Sequence, residues 1–337
     1  MDAFVDAILR EIAFQSTRHT ITPHTIYLGG GTPSFLSTQH LSRLLAGVAE
    51  HLDLSELEEW DLEANPLTFG TEKADAMREH GITRVSLGVQ ALDQPTLKTL
   101  GRDHSPDQAI EAFHILRGAK LPSVNVDLMF AIPGQGLESW RHSLETVASL
   151  EPDHISCYNL TYEEDTEFFD KLQSGRFSQD HDDDASFFTA AMDSLGDAGF
   201  DHYEISNYAQ PGFQSVHNRA YWAGKDYLGI GPGAVSTVQG QRWKNLPDTA
   251  AYLKSAPATL PTEREEIDQE AFRNERIALQ LRTAGGLPLR YLTQEMLADR
   301  LPVLVEEGLL DLDHQKETAR LTRRGKLVAD SVAAYLV

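Results

Sequence analysis

Residues 25–33 read Thr-Ile-Tyr-Leu-Gly-Gly-Gly-Thr-Pro, an apolar β-type run that stops in three consecutive glycines. Glycine tolerates positive φ and has no Cβ, so Gly29, Gly30 and Gly31 allow main-chain N–H and C=O groups to come close to a bound molecule. The same triplet also serves a tight strand-to-helix turn that holds no ligand, and the motif alone leaves both readings open. No Gly-Lys-Ser/Thr follows, which excludes a P-loop, and no third spaced glycine completes a dinucleotide-binding fingerprint.

On either side of this edge, strand-like and helix-like segments alternate. Phe4, Val5, Ile8, Leu9 and Ile12 recur at helical spacing, so the chain opens on an amphipathic helix with no strand ahead of it. After the glycines come a helix over 38–51, a strand ending Glu-Trp-Asp-Leu-Glu-Ala-Asn-Pro at 59–66, a helix to about Glu79 and a strand from Arg84 to Gln90. Further strands are predicted at Ser123–Phe130 and His154–Thr161, with helices at 106–119 and 137–150 between them. This alternation predicts parallel strands joined by right-handed crossovers. Ligands of parallel α/β folds sit at the carboxyl ends of the strands. Gly29 to Thr32, Glu63 with Asn65, Gln90, Asp127, and Asn159 with Thr161 occupy those ends and form the candidate site.

Composition narrows the function. The 337 residues carry 29 Lys plus Arg against 51 Asp plus Glu, a net charge of −22. That excess repels phosphate backbones and anionic lipid, so nucleic acid is not an expected partner. A single cysteine, Cys157, rules out an intramolecular disulfide framework and fits a reducing compartment. Asp2 and Asp6 stand where a signal peptide carries basic residues, and no apolar run reaches the length of a membrane span. A soluble, cytoplasmic protein is expected.

Further along, the acidic run Asp180–Asp184 reads as the N-terminal cap of a helix in preference to a metal cluster. Tyr203 to Tyr208 reads as one more strand. His-Asn-Arg-Ala-Tyr-Trp follows at 217–222, then a second glycine cluster, Gly229, Gly231 and Gly233. Pro232 removes an amide donor there, which favours a turn over a phosphate cradle. Residues 254–267, with two prolines and no apolar period, read as a linker. They separate residues 1–253 from a C-terminal segment, 268–337, of helices at 268–283 and 289–307 and a small hairpin. That segment suggests a winged-helix module serving interaction rather than DNA, since its basic run, Arg320 to Lys326, is short.

Taken in order, YLGGGTPS, LEANP, RVSLGVQ, LGRDH, VNVDLMFAIPGQ and HNRAYW resemble the HemW-like radical-SAM haem chaperones, relatives of oxygen-independent coproporphyrinogen III oxidase. The likeness spans essentially the whole chain. It implies an α/β fold, a partial (β/α)6 radical-SAM barrel, with a small C-terminal winged-helix-like domain. It further implies that Gly30, Gly31 and Thr32 bind the methionine end of S-adenosylmethionine, with Glu63, Gln90, Arg102 and Asp127 completing the pocket. Carboxylates suit an ammonium and ribose hydroxyls, and arginine can hold a carboxylate in a fork. The residues alone leave an ordinary Arg102–Asp127 ion pair as the alternative. The resemblance also makes HNRAYW a haem-binding motif, with His217 ligating the haem iron and Tyr221 and Trp222 packing on the macrocycle. A structural histidine beside a core tryptophan is the competing reading.

In one feature the chain departs from the family. Radical-SAM proteins carry Cys-x-x-x-Cys-x-x-Cys after the first barrel strand, giving three thiolates to a 4Fe-4S cluster. Neither that strand nor that loop occurs in this sequence. Cys157 falls in a later strand and reads as a small buried hydrophobe. The expectation is that Met1 is an internal start or that the cluster has been lost. The function implied is haem binding and delivery to haem-accepting proteins, and the resemblance admits a homodimer. The alternative is a coproporphyrinogen III oxidase-like radical enzyme, which would need the cysteine loop.

Overall fold

The structure, a computed structural model, describes residues 1–160 and 181–337, with side chains from Asp184 onward in the second stretch. Thr161 and Asp180, singled out above, lie outside the described residues. The chain falls into two compact units: Met1–Asp61 with Glu79–Gly81 and Ser215–Val337, and Leu62–Arg78 with Ile82–Gln214. The large sheet is an α/β half-barrel of seven strands in the order β1-β2-β3-β4-β5-β7-β6. Its strands are β1 (Thr25–Leu28), β2 (Glu59–Ala64), β3 (Arg84–Gln90), β4 (Ser123–Phe130), β5 (His154–Asn159), β6 (Asp201–Glu204) and β7 (Asn207–Ala209). The division between the units falls inside β2.

In the second unit β3 pairs parallel with β4, and β4 with β5. The alternation of apolar strand and amphipathic helix dictates this arrangement, because a right-handed crossover helix buries its apolar stripe against the sheet. Helix α5 (Pro106–Gly118) starts on a full capping box, Ser105 and Gln108, with Pro106 in its first turn, which fixes the start of the crossover. Helix α6 (Leu137–Ser149) buries Trp140, whose indole donates to the Phe187 carbonyl at 2.9 Å. Phe187 belongs to α7 (His181–Asp197), which begins within the acidic run. The segment expected to be one strand at Tyr203–Tyr208 is a hairpin: β6 and β7 pair antiparallel. The Glu204 carboxylate accepts from the Ser206 N–H at 3.3 Å and from the Asn207 amide, closing the turn. A side chain folding back on its own backbone is invisible to apolar periodicity.

In the first unit, α1 (Asp2–Arg18) packs on α2 (Thr38–His51). It buries Val5, Ala7 and Ile12, and with them a carboxylate, Glu11. Glu11 Oε2 accepts from the Gly231 N–H at 2.8 Å and from the Tyr252 hydroxyl at 2.6 Å, while Oε1 accepts from Asn245 Nδ2 at 2.9 Å. The second glycine cluster is therefore a docking loop for α1. Gly231 has φ +106°, and a Cβ on Gly229 would lie 2.2 Å from the Val235 carbonyl oxygen.

Residues 254–267, expected to be a linker, carry strand β10 (Thr262–Glu266), which pairs antiparallel with β9 (Gln241–Asn245) beside β8 (Val235–Val238). All of β10 after its first residue is exposed, so it has no apolar alternation to read. Beyond it lie α10 (Gln269–Leu281) and a three-stranded sheet in the order β11-β13-β12 (Leu287–Pro288, Thr318–Leu321, Leu310–Asp313). Of the helix expected over 289–307, Leu289–Tyr291 is a separate 3-10 turn ending in extended Leu292, and the helix that follows it contains a π-helical stretch, Met296–Arg300. Pro302 explains it, having no N–H for the regular ladder and a ring that collides with the preceding turn. Among the described residues no helix is long and apolar enough to cross a membrane.

Candidate functional site

HNRAYW forms a short helix, α8 (Val216–Trp222), in the first unit. Its start is built around Glu59, the first residue of β2 and only 4% exposed. The Ser215 hydroxyl donates to Glu59 Oε1 at 2.8 Å, the His217 N–H to Oε1 at 3.0 Å and the Val216 N–H to Oε2 at 3.1 Å. Ser215 also caps the helix by accepting from the Asn218 N–H at 3.1 Å. A carboxylate at a helix N-terminus suits the unpaired amides there.

The His217 ring meets β1. Its Nδ1 lies 3.0 Å from the Thr25 hydroxyl, and its face stacks on Tyr27 at 4.8 Å between centroids with 14° between planes. Burial lowers the imidazole pKa, opposed by the Glu59 charge, so the neutral, ligand-competent form is favoured. Tyr27 and Tyr221 are 38% and 46% exposed, which leaves aromatic surface on this unit for a flat apolar ligand. Tyr221 follows His217 by one helical turn. Trp222 is turned to the C-terminal segment, with the Arg282 guanidinium 5.9 Å over its ring and its carbonyl accepting from Gln280 at 2.7 Å. The donor set fits haem: one neutral imidazole held through one nitrogen, with flanking aromatic rings.

Gly30 and Gly31 follow β1 in the same unit. Gly30 has φ +76°, and a Cβ at either position would meet no atom within 4 Å. At Gly30 the backbone conformation rather than packing calls for glycine, at Gly31 neither does, and the space beside both is open.

Glu63, Gln90, Arg102 and Asp127 belong to the second unit. β3 bulges against β4: Leu87 faces Val126 and Gln90 faces Leu128, so two β3 residues stand opposite Asp127 alone. Gln90 has φ +68°, an uncommon conformation for a side chain other than glycine or asparagine. Its Nε2 lies 2.9 Å from where a Cβ on Gly88 would be. The glycine of RVSLGVQ thus makes room for the Gln90 carboxamide. Buried His104 lies with Nε2 2.9 Å from the Val89 carbonyl oxygen, bracing the bulge.

Asp127 is held by the Asn125 amide at 2.7 Å and the Tyr158 hydroxyl at 3.1 Å. Burial raises its pKa, against hydrogen bonds from Ser156, Asn125 and Tyr158 and the charge of Arg102. Desolvation lowers the Arg102 pKa, against the attraction of Asp127. Arg102 also has a buried Nε with no hydrogen-bond partner among the described residues. An orphaned guanidinium N–H costs energy unless another acceptor meets it, and the carboxylate of an amino-acid ligand is such an acceptor. The set fits S-adenosylmethionine.

A four-iron cluster does not fit. Cys157 is the sole cysteine and is 1% exposed in β5. Burial and the Asp127 charge push its thiol pKa far up. Among the described residues no group of three His, Cys, Asp or Glu is placed to hold a metal ion.

The radical SAM superfamily is matched over residues 5–147. The chain is 34% identical over 324 residues to the haem chaperone HemW of Lactococcus lactis subsp. lactis (strain IL1403), covering 94% of this chain and 85% of that protein. The chain belongs to the HemW haem chaperone family. HemW of Mycobacterium tuberculosis (strain H37Rv) is 36% identical over 320 residues, covering 94% of this chain and 81% of that protein. Coproporphyrinogen III oxidase (HemN) from Escherichia coli superposes with a TM-score of 0.84 at 20% identity, covering 99% of this chain and 82% of that chain. That likeness carries the fold, the radical-SAM half-barrel expected from the sequence.

Sequence reading missed Thr25, Tyr27, Glu59, Gly88 and His104. The first three were unreadable because their partner, His217, lies far along the chain. Gly88 and His104 stand inside quoted motifs, and their signal was the glycine two residues before Gln90 and the histidine two after Arg102.

Proposed function

We propose that this chain is a haem chaperone: it binds haem and passes it to haem-accepting proteins in the cytoplasm, on a scaffold that binds S-adenosylmethionine. The observation that carries the reading is the His217 imidazole, fixed by Thr25, Tyr27 and Glu59 at the start of α8, in a chain whose relatives are haem chaperones. His217 supplies the bond to the haem iron, Tyr221 packs on the macrocycle from the same helix face, and Trp222 anchors α8. Gly30, Gly31 and Thr32 offer backbone groups to the methionine end of S-adenosylmethionine. Gln90, Arg102, Asp127 and Glu63 answer its charged and ribose groups. Residues 268–337 serve interaction. A coproporphyrinogen III oxidase-like reaction is the second reading, because the likeness to that enzyme carries the fold while the relatives matched over most of their length are haem chaperones.

Equilibrium titration tests both ligands. Haem is expected to saturate at one site per chain with a shifted Soret band, and non-saturable adsorption would overturn the reading. S-Adenosylmethionine is expected to bind without added iron. Gly88→Ala is expected to weaken that binding about tenfold while leaving the melting temperature nearly unchanged, because the colliding atom is the end of a flexible side chain. Equal affinities would remove Gln90 from the site.

A further inference from the structure

The way the His217 ring is held says more than that it is available. Three independent contacts fix it. Glu59 holds the backbone at the start of α8. Tyr27 holds the ring plane by stacking. Thr25, two residues before Tyr27 and on the same face of β1, holds the rotation about the ring axis through Nδ1 at 3.0 Å. Among the described residues nothing hydrogen-bonds Nε2, and it is not one of the buried polar atoms without a partner.

The two ring nitrogens are chemically distinct. In a neutral imidazole one carries the proton and the other the lone pair, and the partner of one nitrogen decides the state of the other. Unconstrained histidine places the proton more often on Nε2, which would leave no lone pair there for a metal. A hydroxyl oxygen accepting from Nδ1–H reverses that preference. We propose that Thr25 is a positioning residue for haem ligation: by accepting from His217 Nδ1–H it holds the imidazole in the tautomer that presents the Nε2 lone pair to iron. This rests on the haem reading of His217 given above. Thr25 touches neither haem nor iron and acts only through the ring.

The tautomer can be read without haem. In the ¹⁵N-labelled, haem-free chain, long-range ¹H–¹⁵N correlations identify the protonated nitrogen of His217, assigned by the signals that vanish in His217→Ala. The wild type is expected to show a protonated Nδ1 and a bare Nε2. Thr25→Val keeps the β-branched shape that suits a strand and removes the acceptor. It is expected to move the proton partly onto Nε2 and to weaken haem binding about tenfold, in the range found when partners of metal-binding histidines are removed. Thr25→Ser, which keeps the hydroxyl, is expected to restore both readouts, as loss of strand packing alone would not.

A protonated Nε2 in the wild type would overturn the assignment, as would a Thr25→Val chain that binds haem with unchanged tautomer and affinity. Failure of the wild type to bind haem at all would instead overturn the haem reading, and the ligation role with it, whichever tautomer the spectrum shows.

Discussion

Replacing Glu11 with alanine is expected to destabilise the chain by about 3–5 kcal/mol, the cost of removing one partner from a buried charged hydrogen-bond cluster. Three donors converge on this carboxylate: the Gly231 N–H, the Asn245 amide and the Tyr252 hydroxyl. Burial and the neighbouring carboxylate keep the tyrosine protonated and therefore donating. Glu11→Ala strands the Gly231 N–H and the Tyr252 hydroxyl and leaves the Asn245 amide only its bond to the Gly231 carbonyl at 2.9 Å, and a stranded buried donor costs roughly 1–3 kcal/mol. Tyr252→Phe removes one donor and leaves Glu11 two partners, so its cost should be near 1 kcal/mol. Denaturant unfolding of both variants checks the pair. A Glu11→Ala midpoint within error of the wild type would mean that α1 is not held by this network.

Anaerobic reconstitution of these 337 residues with iron and sulfide is expected to give no stable four-iron cluster. Cluster ligation takes three converging thiolates, and the chain has one cysteine. Its thiol is enclosed in β5, and the thiolate, the form that binds metal, is disfavoured by burial and by Asp127. The effect is all or none: absorption and electron paramagnetic resonance after desalting should show no cluster signal. A stoichiometric signal would require ligands other than those described. The haem binding proposed at His217 needs no thiolate, so iron and sulfide should leave it unchanged.

Much of the architecture was legible because it rests on local rules. The glycine turn after β1, the alternation through β5, and the capped starts of α2 at Ser37 and α5 at Ser105 follow from residue types within a few positions. What escaped was set by distant contacts or by silence in the pattern. Thr25 and His217 are 192 residues apart in sequence, and Glu59 and His217 are 158 apart; no window spans either pair. A buried Glu11 on an amphipathic helix breaks the apolar stripe and reads as surface until its three donors are seen. β10 is charged and exposed, so it looked like linker. The β6–β7 turn was hidden because Glu204 satisfies it from inside an apparently continuous strand. In the candidate site, Gln90, Arg102 and Asp127 could be singled out from their motifs, whereas the bulge that sets two β3 residues opposite Asp127 could not.

The most direct test of the account is a haem titration of three chains: wild type, His217→Ala and His202→Ala. His202 is the instructive control, because its Nε2 already engages the Ile205 carbonyl at 3.1 Å and its ring is stacked on Tyr208 at 4.2 Å. That engaged nitrogen and stacked ring make it a poorer ligand for iron than His217. His202→Ala is expected to bind haem as the wild type does, while His217→Ala is expected to lose the ligand-specific Soret feature and most of the affinity. An unchanged spectrum and affinity in His217→Ala would contradict it, and would leave HNRAYW as a motif that only docks α8 against Glu59.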